Sequence, residues 1–332
     1  MADLELRHLR AVCAIVETGS MSKAAVRLGL TQPALTAQLQ RVERLVGGRL
    51  FDRSPTGSTP TELGRYVVNT ARLVLDDLDH LLASAQDRAR TFTPQPLLAG
   101  CMPMLFLARL VAELSNRLPC SEVRTEIEPV GHTLVEMLNS ARLHLAVFER
   151  FDGLERRKLS GVEIRTLVLE PQFVAVAEDH PLAIREVISL DELADCDWVV
   201  PPPEANSLRM QLHTACATAG FTPRIRHHTW EAGMARVLVE NGAVSLAAPA
   251  SRSGNGIAVR PLRGDPLQVP IMVGVRTDGA LAGRAHEVFA SAAYAYRSIV
   301  DRNPTFAQWW AEHPEAHAEL DAAMLVCPPL AV

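Results

Sequence analysis

With 332 residues, 48% of them hydrophobic, the chain can bury the cores of one small and one larger domain, which excludes a disordered or fibrous protein. Its start, Met1-Ala-Asp-Leu-Glu5, is not a secretory signal, and no uncharged apolar stretch of about 18 residues follows that could span a membrane, so a cytoplasmic protein is expected. The net charge of −5 is unevenly spread: residues 1–90 carry 12 Lys or Arg against 10 Asp or Glu, the rest 21 against 28, so the N-terminal segment is the part fit to approach phosphate.

Leu6, Leu9, Val12, Cys13 and Val16 recur at three- and four-residue steps, predicting an amphipathic helix over residues 4–17 that stops at Gly19. Ser20 and Ser22 offer hydroxyl caps to a short second helix over residues 23–28, whose Ala24-Ala25 pair admits a close neighbour before Gly29 ends it. A third helix begins at Thr31, with Pro33 in the first turn where its missing amide hydrogen costs nothing, and runs to about Val46. Its buried stripe of Leu35, Leu39, Val42 and Val46 turns Gln32, Pro33, Thr36 and Gln40 outward, with no carboxylate among them. That face suits a major groove, because a glutamine amide pairs bidentately with adenine, a threonine methyl touches thymine, and the positive helix end faces a phosphate. Ser22, Lys23, Thr31, Gln32, Pro33, Thr36 and Gln40 are therefore the candidate DNA-binding residues of this helix-turn-helix.

After Gly47-Gly48, residues 49–53 read as a strand and residues 54–58 as a turn, making a small wing with Arg53 at its edge. Arg53 either enters the minor groove or pairs with Asp52 or Glu62. Thr59-Pro-Thr-Glu62 has the form of a capping box and predicts the start of a long helix. Leu63, Val67, Thr70, Val74, Leu78, Leu81 and Ala85 then form one apolar seam. The seam packs either on the chain's own core or on a twin helix, and Leu63, Val67, Val74, Leu78 and Leu81 are its candidate dimerisation residues. Two-fold pairing would place two reading helices on successive major-groove faces and predicts an interrupted palindrome.

The residues Leu9, Glu17-Thr-Gly-Ser20, Ala24-Ala25, Leu28, Thr31-Gln-Pro-Ala-Leu-Thr36, Gln38, Glu43, Gly47, Leu50-Phe-Asp-Arg53 and Thr61-Glu-Leu-Gly64 stand in the order and spacing of the LysR-type transcriptional regulators, which the first 65 residues resemble. The resemblance implies that the helix from Thr31 reads the major groove, that Arg53 lies on the wing and that the seam dimerises. The chain departs from the family pattern at Val12, where Phe is common, at Ala37, where Arg or another polar residue is common, and at Pro60, where Leu is common.

Beyond a proline-containing hinge at residues 91–96, strand-like and helical runs alternate, predicting doubly wound α/β lobes. Strands are expected at residues 96–101, 123–130, 143–148, 164–169, 173–177, 198–200, 244–247 and 269–275, with helices at 104–118, 132–139, 207–219, 231–239 and 280–299. The layout resembles the LysR-type effector domain, itself similar to periplasmic solute-binding proteins, through Glu178-Asp-His-Pro-Leu-Ala183 and Glu240-Asn-Gly-Ala-Val-Ser-Leu-Ala-Ala-Pro249. Ligands of such lobes bind outside the carboxyl ends of strands. The expected walls are Cys101, Met102 and Met104, then Val130 and Gly131, then Phe148 and Glu149, with Pro202, Asn206, Ser207 and Trp230 from the second lobe. The loop Cys101-Met-Pro-Met104 suits an apolar or aromatic effector better than a small dicarboxylate; the alternative is a cleft plugged by its own side chains, in a regulator or architectural DNA-binding protein without an effector.

The expected architecture is α+β multidomain: a winged helix-turn-helix over residues 1–60, a linker helix over 61–90, an effector domain over 91–300 and an extension over 301–332. Within the effector domain, lobe I takes residues 96–163 and 267–300, and lobe II residues 164–266. Trp309, Trp310 and the run from Ala323 suggest that the extension packs as a helix. An enzyme is not expected: no nucleophile elbow, P-loop or dinucleotide fingerprint occurs. His313-Pro-Glu-Ala-His317 lacks metalloprotease order, and it and His227-His228 read as surface histidines. The six cysteines lack CxxC spacing, so no metal, cofactor or disulfide framework is expected. The expected partners are double-stranded DNA, further copies of the chain as a dimer and then a tetramer, a small-molecule effector and RNA polymerase.

Overall fold

Side-chain caps and left-handed glycines cut the first third of the chain into helices. In the computed structural model, which describes residues 4–54, 57–89, 96–157, 159–202 and 206–328, Gly19 at φ +64° closes α1 (Leu6–Thr18). The Ser20 hydroxyl accepts the Lys23 amide at 3.5 Å to open α2 (Met21–Arg27). The Thr31 hydroxyl accepts the Ala34 amide at 3.3 Å to open α3 (Gln32–Val46). Val12, Ile15, Ala24, Leu35, Leu39 and Val42 close a common core between the three helices. The stripe on α3 is shorter than expected, because Val46 in the last turn is 36% exposed.

The wing pairs β1 (Phe51–Ser54) with β2 (Gly57–Pro60) antiparallel, Phe51 opposite Pro60 and Arg53 opposite Ser58. That pairing corrects the expected capping box: Thr59 and Pro60 are drawn into the strand, and Thr61 caps α4 (Glu62–Ala89) instead, its hydroxyl accepting the Gly64 amide at 3.0 Å. The same hydroxyl donates to the Arg49 carbonyl at 2.8 Å, while the Leu50 amide donates to the Glu43 carboxylate at 2.8 Å, so the wing is tied to both α3 and α4. On α4, Val68 and Ala71 are buried and Leu63, Val67 and Leu75 pack on the same core. Tyr66, Leu73, Val74 and Leu82 are exposed.

The chain divides into two compact units, residues 1–92 and 93–332, so α4 belongs with the winged domain and the extension with the second unit. Residues 91–95 of the expected hinge lie outside the described residues.

The second unit contains two five-stranded sheets. In the first, β3 (Leu97–Cys101), α5 (Leu107–Arg117), β4 (Val123–Ile127), α6 (Gly131–Asn139) and β5 (Leu145–Glu149) form parallel crossovers with β3 between β4 and β5. β6 (Val162–Pro171) and β12 (Gln268–Arg276) complete it, β12 running antiparallel to both β5 and β6. The pairing of β6 with β12 corrects the lobe boundary, which falls at Gln172 rather than at residue 164. The second sheet repeats the plan: β8 (Asp197–Val200), α7 (Asn206–Thr218), β9 (Arg224–His228), α8 (Ala232–Glu240) and β10 (Val244–Ala247) place β8 between β9 and β10. β7 (Phe173–Ala177) and β11 (Ile257–Pro261) close it antiparallel. The chain crosses between lobes before β7 and after β11, and the two crossings are tied by the Gln172 amide donating to the Leu267 carbonyl at 2.9 Å.

After α9 (Ala285–Val300), the extension forms α10 (Pro304–Glu312) and α11 (Ala318–Val326). Trp310 stacks on Tyr296 of α9 at 5.7 Å, Phe306 meets the Phe173 ring edge-on at 6.4 Å, and the Trp309 indole donates to Asp265 at 2.7 Å. His317 is not a surface residue: it is 6% exposed, stacked on Trp310 at 3.9 Å and hydrogen-bonded to Asp321 at 2.7 Å.

Two glycines of the winged domain separate two kinds of strain. Gly47 ends α3 at φ +77° with open space where a side chain would stand, whereas a Cβ on Gly64 would lie 2.0 Å from the Leu50 carbonyl oxygen. Gly47→Ala should cost about 1–2 kcal/mol. Gly64→Ala should cost more, because the backbone of β1 or α4 must move; thermal unfolding followed by circular dichroism should rank the two in that order.

Candidate functional site

The surface of the winged domain is organised by the first turns of α2 and α3. Ser22, Lys23, Thr31, Gln32, Pro33 and Gln40 are exposed and Thr36 is half-buried. Gln32, Thr36 and Gln40 follow at four-residue steps, so they share one face of α3, beside the buried stripe of Leu35, Leu39 and Val42. α2 and α3 meet at this face through the Ser22 hydroxyl, which donates to Gln32 Oε1 at 2.9 Å. The α3 N-terminus, free of acidic residues in its first turn, presents its positive end beside these side chains. Arg27 is held by Glu17 at 2.7 Å. Arg53 lies in the wing opposite Ser58; its side chain is outside what is described.

In the second unit, a cavity of about 200 Å³ lies at the carboxyl ends of β8 and β9. Its walls include Val199, Val200 and Pro201 after β8, Thr229 to Ala232 ahead of and at the start of α8, Ser245 and Leu246 on β10, Leu208, Arg209 and Leu212 on α7, and Pro103 and Gln172 from the lobe I side. Because α7 carries the chain from β8 to β9 on one side and α8 carries it from β9 back past β8 to β10 on the other, strand order reverses at β8, the place where α/β sheets leave a crevice. Two larger hollows of about 670 Å³ lie elsewhere, one between residues 184–187 and α10 and the other along α7 beside residues 189–191. The first borders the end of the antiparallel strand β11, and neither lies at the carboxyl ends of the parallel strands.

Of the expected walls, Trp230 lines the cavity. Cys101 and Phe148 do not: both are 0% exposed and packed in hydrophobic clusters on the two faces of the lobe I sheet, and burial pushes the Cys101 thiol up to about 12. Met104 packs on the core beside α5. Met102 turns its sulfur to the Glu149 amide at 3.2 Å, occupying the end of β5. Val130 and Gly131 begin α6, where a Cβ on Gly131 would come within 3.2 Å of the Glu149 carbonyl oxygen. Pro202 is half-buried, and the side chains of Asn206 and Ser207 are outside what is described. Pro103, Gln172, Arg209, Thr229 and Ser245 were missed. Recognising Arg224–His228 as a strand would have pointed to Thr229, which follows it directly.

Comparison with known proteins matches residues 6–65 to the family model "Bacterial regulatory helix-turn-helix protein, lysR family" and residues 99–295 to "LysR substrate binding domain". The Small neutral protease regulatory protein of Streptomyces coelicolor is 34% identical over 316 residues, covering 93% of this chain and 98% of that protein. The HTH-type transcriptional regulator ShiR of Corynebacterium glutamicum (strain R) is 30% identical over 271 residues, covering 78% of this chain and 86% of its own length. The crystal structure of full-length CbnR with its target DNA shares the fold at a TM-score of 0.60 and 23% identity, covering 89% of this chain and 100% of that one.

Behind Gln172, two carboxyls lie on the lobe I sheet. Glu149 is half-buried opposite Ile271 of β12; Glu170 is 8% exposed opposite Val269 and accepts the Tyr296 hydroxyl at 2.6 Å. Burial raises both from 4.5 to about 7. A carboxyl raised on folding stabilises fully below its unfolded value, and that contribution is lost as pH climbs through the folded one. The second unit should therefore lose stability as pH rises from 4.5 to above 7. Glu149→Gln should unfold at higher temperature than the parent at pH 8, with the difference shrinking at pH 5, as read by calorimetry.

Proposed function

The chain belongs to the LysR family of bacterial helix-turn-helix transcriptional regulators, a DNA-binding regulator with an effector-binding domain rather than an enzyme, and from that premise we propose that it reads an interrupted palindrome as a homo-oligomer under control of a small molecule bound in its α/β domain. The observation that carries the DNA reading is the acid-free face of Gln32, Thr36 and Gln40 at the positive end of α3, with Ser22, Lys23, Thr31 and Pro33 beside it and Arg53 on the wing.

Self-association is supported by α4. Its apolar residues divide into a face spent on the domain's own core, which takes Leu63 and Val67, and an exposed set of Tyr66, Leu73, Val74 and Leu82. Leu78 is half-buried; the side chain of Leu81 is outside what is described. The exposed set suits a twin helix, and the dimer so formed is the unit from which a tetramer would assemble. Leu73→Asp with Val74→Asp should convert the purified oligomer to smaller species in sedimentation velocity while leaving its helix content unchanged.

For the effector, the cavity at the strand ends of lobe II supports a small ligand that rests an apolar or aromatic part on Trp230 and Leu246 and offers polar groups to Gln172, Thr229 and Ser245. A ligand that binds the open and closed placements of the lobes unequally would shift dimer placement and DNA bending. Contact with RNA polymerase and a cytoplasmic location accord with this role, and among the described residues no helix is long and apolar enough to cross a membrane.

Selection of genomic fragments by the purified protein, with footprinting, tests the reading: an enriched interrupted palindrome is expected, and binding without sequence preference would refute it. On that site, Gln32→Ala and Thr36→Ala should lower base discrimination, each by roughly 1–3 kcal/mol, while Arg53→Ala should weaken specific and random DNA alike and reduce the salt slope by about 1.

A further inference from the structure

Successive residues of an α-helix point about 100° apart around its axis. Counted from Gln32, buried Leu35, Leu39 and Val42 of α3 point at about 300°, 340° and 280°, so the direction straight away from the core is about 130°. Gln32 lies about 130° off that direction, half-buried Thr36 about 90° off and Gln40 about 50° off, so all three stand on one shoulder of the helix. In the first two turns the residues that point most nearly outward are Pro33, about 30° off, and Ala37, about 10° off, and both are exposed. Arg44 takes up the same direction only in the last turn, where its Nε donates to the Gln40 carbonyl at 3.3 Å.

The midline of this face is therefore apolar in its N-terminal half. Neither side chain donates or accepts a hydrogen bond, and Pro33 has no amide hydrogen either. A base edge pressed against Ala37 gives up its water. For the amino, keto and ring-nitrogen groups that cover most of the major groove, that is a loss without a replacement partner; the C5-methyl of thymine, the one apolar group there, gains by it. We propose that Ala37, with Pro33 one turn earlier as a second wall, seats the C5-methyl of a thymine and so is a specificity-determining residue, fixing one base pair of each operator half-site by a methyl group rather than by a hydrogen bond. The proposal rests on the reading of α3 as the recognition helix. A side chain of one carbon on the midline also lets the helix come close to the bases, within reach of the longer Gln40 beside it.

The test uses the full-length chain and its selected operator. Each thymine of a half-site is replaced in turn by deoxyuridine, which keeps every hydrogen-bonding group of the base and removes only the methyl, and affinity is titrated for the parent, Ala37→Gly and Ala37→Ser. At one thymine the parent is expected to lose about three- to fivefold, the worth of one buried methyl, and Ala37→Gly should bind thymine and uracil there alike. Ala37→Ser, which sets a hydroxyl against the methyl, should shrink the same ratio. At that position the parent should also prefer 5-methylcytosine to cytosine by a similar factor. Each comparison is a ratio within one protein, so a general loss of affinity or stability in a variant leaves it unaltered, and Thr36→Ser, which removes the Thr36 methyl, identifies any thymine read by Thr36 instead. Uracil tolerated at every thymine would overturn the proposal, as would a methyl effect of the parent's size in both Ala37 variants. If the parent protein selects no sequence, the recognition-helix reading itself fails; if it does and uracil is tolerated throughout, only the methyl seat falls.

Discussion

Backbone groups left unpaired where helices begin and parallel strands stop govern both sites of this chain. A helix N-terminus carries amides without intrahelical acceptors, and the carboxyl ends of parallel strands open into a crevice where connections part to opposite faces. The winged domain spends the first of these on Thr31, which caps α3 with its hydroxyl and thereby sets Gln32 as the first side chain of the exposed face. The effector domain uses both: β8 ends at Val200, β9 at His228, and α8 starts at Ala232 without a side-chain cap, so these element ends meet the sides of α7 and β10 around the cavity.

Features fixed by neighbours in sequence were legible before any coordinates. Gly19, Ser20 and Thr31 delimit the first three helices through contacts spanning only a few residues, and the structure places them as local chemistry requires. Features fixed by distant partners were not. Pro60 reads as a helix start until Phe51 pairs with it, and β6 reads as the start of lobe II until β12 claims it. β9, Arg-Ile-Arg-His-His, is an edge strand with alternating exposure, and its charged residues hide the period-two pattern of a half-buried strand. In the cleft, β3 ends at Cys101 as expected, but β4 stops at Ile127 rather than at residue 130, β5 runs on to Glu149, and the side chains were misplaced because Cys101 continues the inward alternation of Leu97 and Ala99 and Met102 is drawn back to the Glu149 amide. Trp230, beyond the reach of any strand's alternation, needed only to follow β9.

The long helix shows how one element serves two purposes at neighbouring angles. Residues 64, 68, 71 and 75 fall on the side that completes the winged core, with Gly64 pressed against the Leu50 carbonyl, while Tyr66 and Leu73 turn away from it. Leu63 and Val67 sit at the boundary and go to the core. The segment that leads into the wing and the helix that carries the exposed apolar set thus meet at a contact with no room for a methyl group.

The extension ties the two lobes to each other. α11 lies against α9 and β6, with Arg165 joined to Glu319 at 3.0 Å, so the tail is anchored on lobe I. From there α10 reaches lobe II, setting Phe306 on Phe173 and the Trp309 indole on Asp265, while Asn303 donates to the carbonyls of Pro249 and Ser251 at 2.9 and 3.2 Å. Moving lobe II away must peel an aromatic edge and break a hydrogen bond to a carboxylate, roughly 2–4 kcal/mol together. A ligand that prefers the displaced arrangement shifts the population by its own factor, and makes that arrangement the major one only where its preference exceeds this cost.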